Sequence, residues 1–263
     1  MIDAVLFDLG DTIIDFGLGR REVEVLFRQG ARLSYEHLRA IEAPGLPAFE
    51  RYFSVHYRIM RRAYLWSKLS RRDFSYQVVL ARAAFRLGMS LSPGQFETLA
   101  AIWYKPVHLL ATTDPGVLPM LRYLHASGTK LAIVSNTLVP GHCLDQHLEQ
   151  EGLLEFFPVR IYSSHVRYRK PHPRIFEMAL DLVGVPANRA LFIGDLLKTD
   201  IAGAKNAGMR TIWKPARKML HKTPRPAAPR RLTPDMIIHK ITHLPEALGK
   251  LGWRPNFQPA AAQ

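Results

Sequence analysis

Short apolar runs alternate along this chain with longer stretches in which apolar residues recur every three or four positions. The runs are Ala4–Phe7, Leu131–Val134, Arg160–Tyr162, Leu191–Ile193 and Thr211–Trp213. Such runs are typical of buried strands, and the spacing between them is typical of amphipathic helices. Strands joined by helices fold as right-handed βαβ units around a parallel sheet. The pattern therefore predicts an α/β protein with a Rossmann-like, doubly wound parallel sheet.

Residues 16–113 depart from this alternation, because they contain amphipathic segments but no convincing strand. We predict that they form an all-helical insertion after the first strand. The predicted helices are Val23–Ile41, Phe49–Leu65, Phe74–Leu87 and Gln95–Trp103. The insertion would divide the chain into an α/β core, residues 1–15 and 114–263, and a second, mostly helical domain, residues 16–113.

The composition is that of a folded protein with a full core. Hydrophobic side chains make up 48% of the 263 residues and charged ones 22%, which excludes wholesale disorder. No apolar run approaches the roughly 20 residues of a membrane span, and the N-terminal segment reaches Asp8 too soon to build a signal peptide. We therefore expect a cytoplasmic protein without a membrane partner. Because Cys143 is the only cysteine, any metal must be held by oxygen or imidazole ligands.

The formal net charge is +14, and its excess lies in the helical insertion and in residues 214–231. The second stretch contains several prolines, and we expect an irregular surface loop that adheres to nucleic acid only non-specifically. In the insertion, Arg58, Arg61 and Arg62 share one helix face. They predict a positive rim that attracts an anionic substrate, with an ordinary solvated face as the alternative interpretation.

Polar residues stand at the C-terminal ends of four predicted segments, the edge of a parallel sheet where ligands bind. They are Asp8, Gly10, Asp11 and Thr12, Ser135 and Asn136, Lys170, and Asp195 and Asp200. Alone, each is more often a turn residue, a helix cap or a solvated charge. Together they describe a site in which carboxylates hold a hard cation, a lysine and a hydroxyl hold phosphate oxygens, and one carboxylate attacks phosphorus.

The same four motifs occur in the order of a known family. The chain resembles the haloacid dehalogenase (HAD) superfamily of hydrolases through VLFDLGDTI (5–13), LAIVSNT (131–137), RKPHPRIF (169–176) and FIGDLLKTDIAGAKNAGM (192–209). The resemblance covers residues 1–15 and 114–213. It implies a catalytic core whose helical insertion is a cap that closes over the active site and selects the substrate.

The resemblance implies a magnesium-dependent phosphatase. Asp8 matches the nucleophile, which would form an aspartyl-phosphate intermediate and also bind Mg²⁺. The main-chain carbonyl of Gly10 and the carboxylate of Asp195 match further direct Mg²⁺ ligands, and Asp200 matches an acid of the metal site that holds a metal-bound water. The expected substrate is a small anionic phosphomonoester.

Phosphate binding falls to other residues of the same motifs. Ser135 and Lys170 match the family's phosphate ligands, and Lys170 would also neutralise charge on Asp8 during catalysis. We place Thr12 and Asn136 in the same phosphate-binding set.

The first motif departs from the phosphatase pattern, which has an aspartate two residues after the nucleophile as general acid and base. Here that position is Gly10, and Asp11 follows it. General acid–base catalysis is worth about 10² to 10⁴ in rate, or roughly 3 to 5 kcal/mol. Asp11 could take the role, activity could be confined to good leaving groups, or the chemistry could need no general acid.

Two other hydrolase types lack this aspartate. Dehalogenases do, but Asp195 and Asp200 form the metal-binding pair that a halide-releasing enzyme does not need. Phosphonate-cleaving relatives use a lysine from the cap, where only Lys68 and Lys105 occur, neither of them near its start. We therefore prefer a phosphatase. The alternative of another class is a phosphatase-like protein of low or no activity that binds an anionic partner.

Overall fold

A six-stranded parallel sheet lies at the centre of the computed structural model, which describes residues 1–17, 19–216 and 229–256. The strands of this large sheet are β1 (Ala4–Phe7), β4 (Lys130–Ser135), β5 (Val159–Tyr162), β6 (Ala190–Gly194), β7 (Arg210–Trp213) and β8 (Met236–Ile237). Two further strands, β2 (Ile14–Asp15) and β3 (Thr112–Thr113), form a separate two-stranded sheet. In the large sheet the order is β5-β4-β1-β6-β7-β8. The chain therefore winds outwards from β1 in both directions, which confirms the doubly wound α/β fold.

The first four helices follow one another between β2 and β3, and the others flank the large sheet or follow it. They are α1 (Arg20–Ala40), α2 (Phe49–Ser70), α3 (Tyr76–Leu87), α4 (Pro93–Leu110), α5 (Val117–Ala126), α6 (Gly141–Gln150), α7 (Ser163–Val166), α8 (Pro173–Val183), α9 (Ala202–Asn206) and α10 (Leu244–Lys250). None of the helices in the described part of the chain is both long and apolar enough to cross a membrane. The helices α1 to α4 confirm the predicted helical cap.

Each face of the large sheet has its own hydrophobic core. In β1, Val5 and Phe7 contribute to one cluster of buried side chains, whereas Ala4 and Leu6 contribute to the other. All four are fully buried. Side chains alternate between the two faces of a strand, and a strand covered on both faces is apolar throughout. This explains why the strands were recognisable in the sequence as continuous apolar runs.

The prediction that residues 16–113 contain no strand is wrong at one point. β3 pairs in antiparallel fashion with β2, in a register that places Ile14 opposite Thr113 and Asp15 opposite Thr112. Two residues are too short to show strand periodicity, and the pairing depends on chain segments almost a hundred residues apart. This ribbon lies where the chain enters and leaves the cap. The exact domain limits, 1–15 with 114–263 and 16–113, stay a prediction.

The cap is also joined to the core at its far side. The Asp73 amide donates to the Arg167 carbonyl at 2.8 Å, and the Arg169 amide donates to the Arg71 carbonyl at 3.2 Å. The buried Asp73 carboxylate accepts a hydrogen bond from the Ser163 hydroxyl at 2.8 Å. The loop between α2 and α3 is therefore held against the segment that precedes Lys170.

The prediction for residues 214–231 needs adjustment, and the sequence did not predict one of the core helices. The predicted surface loop, residues 214–231, lies outside the described residues from 217 to 228. Its first residue is not on the surface: Lys214 is partly buried and its ammonium donates to the main-chain carbonyl of Asp11 at 3.1 Å. Helix α6 was not predicted.

We expect Gly30 to be required where α1 packs against α4. A Cβ at Gly30 would lie 2.8 Å from Trp103 Cδ1 and would also meet the Trp103 carbonyl oxygen. Gly30→Ala should therefore destabilise the protein by about 1–3 kcal/mol, the usual range for overpacking. Urea unfolding measures the change.

Gly94→Ala in α4 is the matched control, because its Cβ would meet no atom within 4 Å. It should leave the unfolding midpoint unchanged or raise it slightly, since alanine is the better helix former. Equal effects of the two substitutions would contradict the close packing of α1 on α4.

Candidate active site

The predicted site residues meet at one edge of the large sheet. Asp8 follows β1, Ser135 ends β4 and Asp195 follows β6. Because β1 lies between β4 and β6, the C-terminal ends of these three strands are neighbours. Lys170 reaches the same place from the loop after α7, and Asp200 from the turn after β6. This is the edge at which an open α/β sheet binds its ligands.

Lys170 is the centre of the site. Its ammonium lies 2.6 Å from Asp8 Oδ1 and 2.9 Å from Asp200 Oδ1, and the residue is only 2% exposed. Burial lowers the pKa of Lys170, but the nearby Asp200 and Asp8 carboxylates outweigh it and the pKa is raised above its usual value. Lys170 is therefore a permanent positive charge between two acids.

Three buried carboxylates surround this one lysine. Asp8, Asp195 and Asp200 each place an oxygen within 4.8 Å of the others. Burial raises the pKa of Asp8 to about 6, although Lys170 opposes the shift. Burial, together with the charges of Asp8 and Asp200, raises the pKa of Asp195 to about 9. Three carboxylates face only one lysine ammonium here. A bound cation would reduce the repulsion between the carboxylates.

Local structure brings Asp200 into this cluster. A single wide helical turn, Leu197–Ile201, follows Asp195 and leads into α9. Asp200 Oδ2 accepts a hydrogen bond from the Leu196 amide at 2.8 Å. A Cβ at Gly194 would lie 2.6 Å from the Asp200 side chain, so only glycine allows this approach. The Trp213 indole nitrogen fixes the main chain of Asp195 by donating to its carbonyl oxygen at 2.7 Å.

Asn136 contacts the main chain of Lys170. Its Nδ2 donates to the Lys170 carbonyl at 2.9 Å, and its Oδ1 accepts from the Lys170 amide at 2.7 Å. With both amide groups engaged, the side chain holds the lysine in place. Its assignment to phosphate binding stays a prediction, and these contacts indicate a positioning role instead. Neither this clamp nor the Trp213 contact was visible in the sequence, because each joins residues far apart in the chain.

Asp11 has a left-handed backbone with φ of 56°. Its Oδ1 accepts a hydrogen bond from the Phe16 amide at 3.3 Å, and its own amide donates to the Ile14 carbonyl at 2.7 Å. These bonds are those of an acid that stabilises a turn. Asp11 also borders the site cavity, and its catalytic role stays a prediction.

Thr12 is the predicted residue that the structure does not bring to the cavity. It is buried, and its hydroxyl has no hydrogen-bond partner among the described residues. Gly10 and Ser135 do line the cavity together with the charged residues.

A cavity of about 370 Å³ extends from the charged residues to the cap. Its floor is polar, but its upper wall is formed by apolar and aromatic side chains. These are Phe16, Val23, Leu26, Phe27, Met60, Trp103, Tyr104, Val107, Leu138, Val139 and Leu144. The expected positive rim is therefore wrong for this cavity: Arg58, Arg61 and Arg62 are exposed and do not line it. Helical spacing gave their common face but not the direction in which that face points.

The donor set fits a magnesium ion. Carboxylate oxygens are the ligands that hard divalent cations prefer, and Asp8, Asp195 and Asp200 provide them within 4.8 Å of one another. Burial, together with the neighbouring carboxylates, raises the pKa values of Asp8 and Asp195, and a bound cation would stabilise their charged forms.

Comparison with known proteins gives a consistent result. A family model described as haloacid dehalogenase-like hydrolase matches residues 2–208. A glyceraldehyde 3-phosphate phosphatase of Pyrococcus abyssi is 28% identical over 218 residues, which cover 81% of this chain and 81% of that protein.

Two solved structures have the same fold over nearly their whole length. A 2-haloacid dehalogenase from Pseudomonas syringae pv. Tomato matches with a TM-score of 0.64 and 25% identity, covering 95% of this chain and 100% of that one. A HAD phosphatase from Thermococcus onnurineus matches with a TM-score of 0.57 and 25% identity, covering 94% and 98%.

The raised pKa of Asp195 predicts how the stability of the metal-free protein depends on pH. Its ordinary pKa of 3.8 applies to the unfolded chain and the value of about 9 to the folded one. The folded state therefore retains a proton that the unfolded state has lost, and stability falls as pH rises from about 4 to about 9. Asp195→Asn, which mimics the protonated acid, should remove this part of the decline.

Thermal unfolding of both proteins in chelator measures the difference. The variant should gain on the native protein steadily over that pH range and reach a constant advantage above it. A constant difference from pH 4 to 9 would contradict the raised pKa.

Proposed function

The chain belongs to the haloacid dehalogenase-like hydrolases, and on that basis we propose that it is a Mg²⁺-dependent phosphatase of small phosphomonoesters that acts through an aspartyl-phosphate on Asp8. The observation that carries the proposal is the buried Lys170 between Asp8 and Asp200, with Asp195 completing a cation site. Membership confirms the resemblance recognised in the motifs, and it makes the chain a hydrolase.

Several observations favour a phosphatase over the related activities. A halide leaves without a cation's help, so three buried carboxylates around one point would serve no purpose in a dehalogenase. The glyceraldehyde 3-phosphate phosphatase aligns with this chain over 81% of its own length. A phosphatase-like binding protein would have no need for Asp8, Ser135, Lys170, Asp195 and Asp200 together, and all five are present.

The reaction begins with Asp8 as a carboxylate. A pKa of about 6 leaves most of Asp8 ionised at neutral pH. One of its oxygens forms a bond to phosphorus as the bond from phosphorus to the leaving oxygen breaks, so the leaving group departs as an alkoxide with the electron pair and takes a proton from water. A water molecule then attacks phosphorus, the bond from phosphorus to the Asp8 oxygen breaks, and hydrogen phosphate leaves. The attacking water's second proton returns to solvent, which replaces the proton taken by the alkoxide, and Asp8 is again a carboxylate. Lys170 holds Asp8 in place and stabilises the negative charge that builds up on the phosphoryl oxygens.

The implied ion would add to this stabilisation. Asp8, Asp195 and the Gly10 carbonyl would hold Mg²⁺, with Asp200 beside it, and the ion would supply positive charge that allows two anions, carboxylate and phosphate, to approach each other. Asn136 keeps Lys170 in position through its two main-chain hydrogen bonds. Ser135, at the end of β4, is the hydroxyl available to bind a phosphoryl oxygen.

The cavity wall indicates what the leaving group is like. Side chains above the charged floor are apolar or aromatic, and none of the arginines of the predicted rim is among them. A leaving group with several charges or hydroxyls would lose its hydration there without compensation. We therefore propose that the substrate combines one phosphate with a compact apolar or aryl group. The cytoplasmic location stays a prediction.

Removal of the nucleophile or the cation should abolish turnover. Asp8→Asn eliminates the attacking charge but keeps the shape of the side chain, so hydrolysis of an aryl phosphate should fall by at least about 10³-fold, as when covalent catalysis is lost. Chelator should cause the same loss of activity in the native protein, and added Mg²⁺ should restore the activity. A colorimetric phosphate-release assay measures both.

Glu177→Gln is the matched control, since Glu177 is an exposed acid of α8 that does not line the cavity. It should retain full activity. Undiminished turnover by Asp8→Asn, or in excess chelator, would refute the mechanism.

The apolar wall predicts a preference that can be separated from leaving-group acidity. Among esters whose alcohols have equal pKa values, those with the more apolar alcohol should have the higher kcat/KM. Val107→Thr introduces a hydroxyl into the wall with little change in shape and should lower kcat/KM for the apolar ester, by roughly tenfold at most.

Val25→Thr is the control, because Val25 is exposed on α1 and does not line the cavity. Equal kcat/KM values for apolar and polar esters of matched acidity would contradict the proposed substrate class while leaving the phosphatase mechanism in place.

A further inference from the structure

A second cavity, of about 1310 Å³, is lined by other residues of α2 than the active-site cavity. Its walls come from α2, α3, the loop between them, and α7 with the residue that follows it. The two cavities have no lining residue in common. The second one is therefore a separate groove with chemistry of its own, and we call it the arginine groove.

The groove is strongly basic. Its lining includes the arginines Arg62, Arg72, Arg82, Arg86 and Arg167. In the part of the chain that the structure describes, none of these five forms a salt bridge. His165 also lines the groove. Five unneutralised guanidinium groups around one groove repel one another, and an anionic ligand would relieve the repulsion.

The single carboxylate in the lining does not neutralise these arginines. Asp73 is buried, accepts a hydrogen bond from Ser163 at 2.8 Å and faces Arg169 at 3.8 Å. Arg169 in turn donates to the Ser67 hydroxyl at 2.7 Å. Asp73 therefore belongs to the internal contact between cap and core. Its carboxylate supports the shape of the groove and does not neutralise the five arginines.

Two aromatic side chains of the groove are exposed to solvent. Trp66 is 67% exposed and Phe85 is 85% exposed, and both line the groove. Exposed apolar groups that gather on one surface mark interaction sites, and these two rings line the same groove from different helices, α2 and α3.

We propose that the arginine groove binds single-stranded nucleic acid. Guanidinium groups match phosphate in geometry as well as in charge, and exposed aromatic rings stack on bases without selecting a sequence. The lining also holds apolar side chains, among them Ile59, Ala63 and Val79, so an acidic protein segment is the competing occupant, which the second test separates from nucleic acid. The exposed rings of Trp66 and Phe85 favour nucleic acid, because they offer stacking surfaces beside cationic groups. A duplex would present phosphates but no base faces to Trp66 and Phe85.

The first test is the salt dependence of binding. The probe is a fluorescein-labelled oligothymidylate of about 12 nucleotides, within the range of single-strand sites, without terminal phosphate, and the readout is fluorescence polarisation. Each phosphate contact contributes about 0.7 to the slope of log K against log salt. Replacing Arg62, Arg82 and Arg86 together with glutamine should therefore reduce the slope by about 2 and weaken binding.

The matched control removes the same charge elsewhere. Arg51, Arg58 and Arg61 are exposed residues of α2 that do not line the groove, and replacing all three with glutamine should leave the slope nearly unchanged. Phosphatase activity should be the same in both triple variants, so the outcome does not depend on the proposed function. Equal slopes for the two variants would overturn the proposal.

The second test separates nucleic acid from other polyanions. Trp66→Ala should weaken binding of the oligothymidylate about fivefold or more, the effect of losing one stacked base, without changing the salt slope. An abasic oligonucleotide of the same length loses the stacking on both Trp66 and Phe85, so it should bind the native protein at least as weakly as the normal one binds the variant. If an acidic peptide of equal charge competes as well as the oligothymidylate, or if Trp66→Ala has no effect, the groove does not recognise nucleic acid.

Discussion

The ion pairs of Lys170 with Asp8 and Asp200 are the constraint on which the rest of the structure depends. A lysine that is 2% exposed would lose its charge if it had no anionic partner, and three carboxylates at this distance would repel one another without it. The strand order brings the acids together, and the Asn136 clamp fixes the lysine between them. The surrounding fold thus pays a high cost in buried charge for a site that is ready to receive a further cation and an anion.

The cap places an apolar surface above this charged floor. Phe27 and Trp103, which are packed edge to face in the cap core, also border the cavity. Water excluded by these side chains would otherwise weaken every charge interaction below them. The same wall restricts which leaving groups can be accommodated. Electrostatic strength and substrate selection are therefore two effects of one packing arrangement.

The sequence predicted those parts of the molecule that depend on local pattern. Continuous apolar runs located five of the six strands of the large sheet, and helical spacing located the four cap helices. The predicted helix ends lie within three residues of the observed ones, except that α2 continues for five more residues and α4 for seven. The polar residues at the strand ends predicted a charged site, because a parallel sheet brings such ends together. The approach of Asp200 to Gly194 and the contact of Lys214 with Asp11 depend instead on atoms that meet only in the folded chain.

The cap is tied to the core at two separate places, by the β2–β3 ribbon and by the pairing of Arg71 and Asp73 with Arg169 and Arg167. A domain attached at one place can rotate about that hinge, whereas a second attachment restricts the rotation. To lift it, the protein would have to break main-chain hydrogen bonds and leave the Asp73 carboxylate without its partner hydroxyl. Opening of the cap would therefore take more than a bend at the β2–β3 ribbon, and the second attachment opposes that motion.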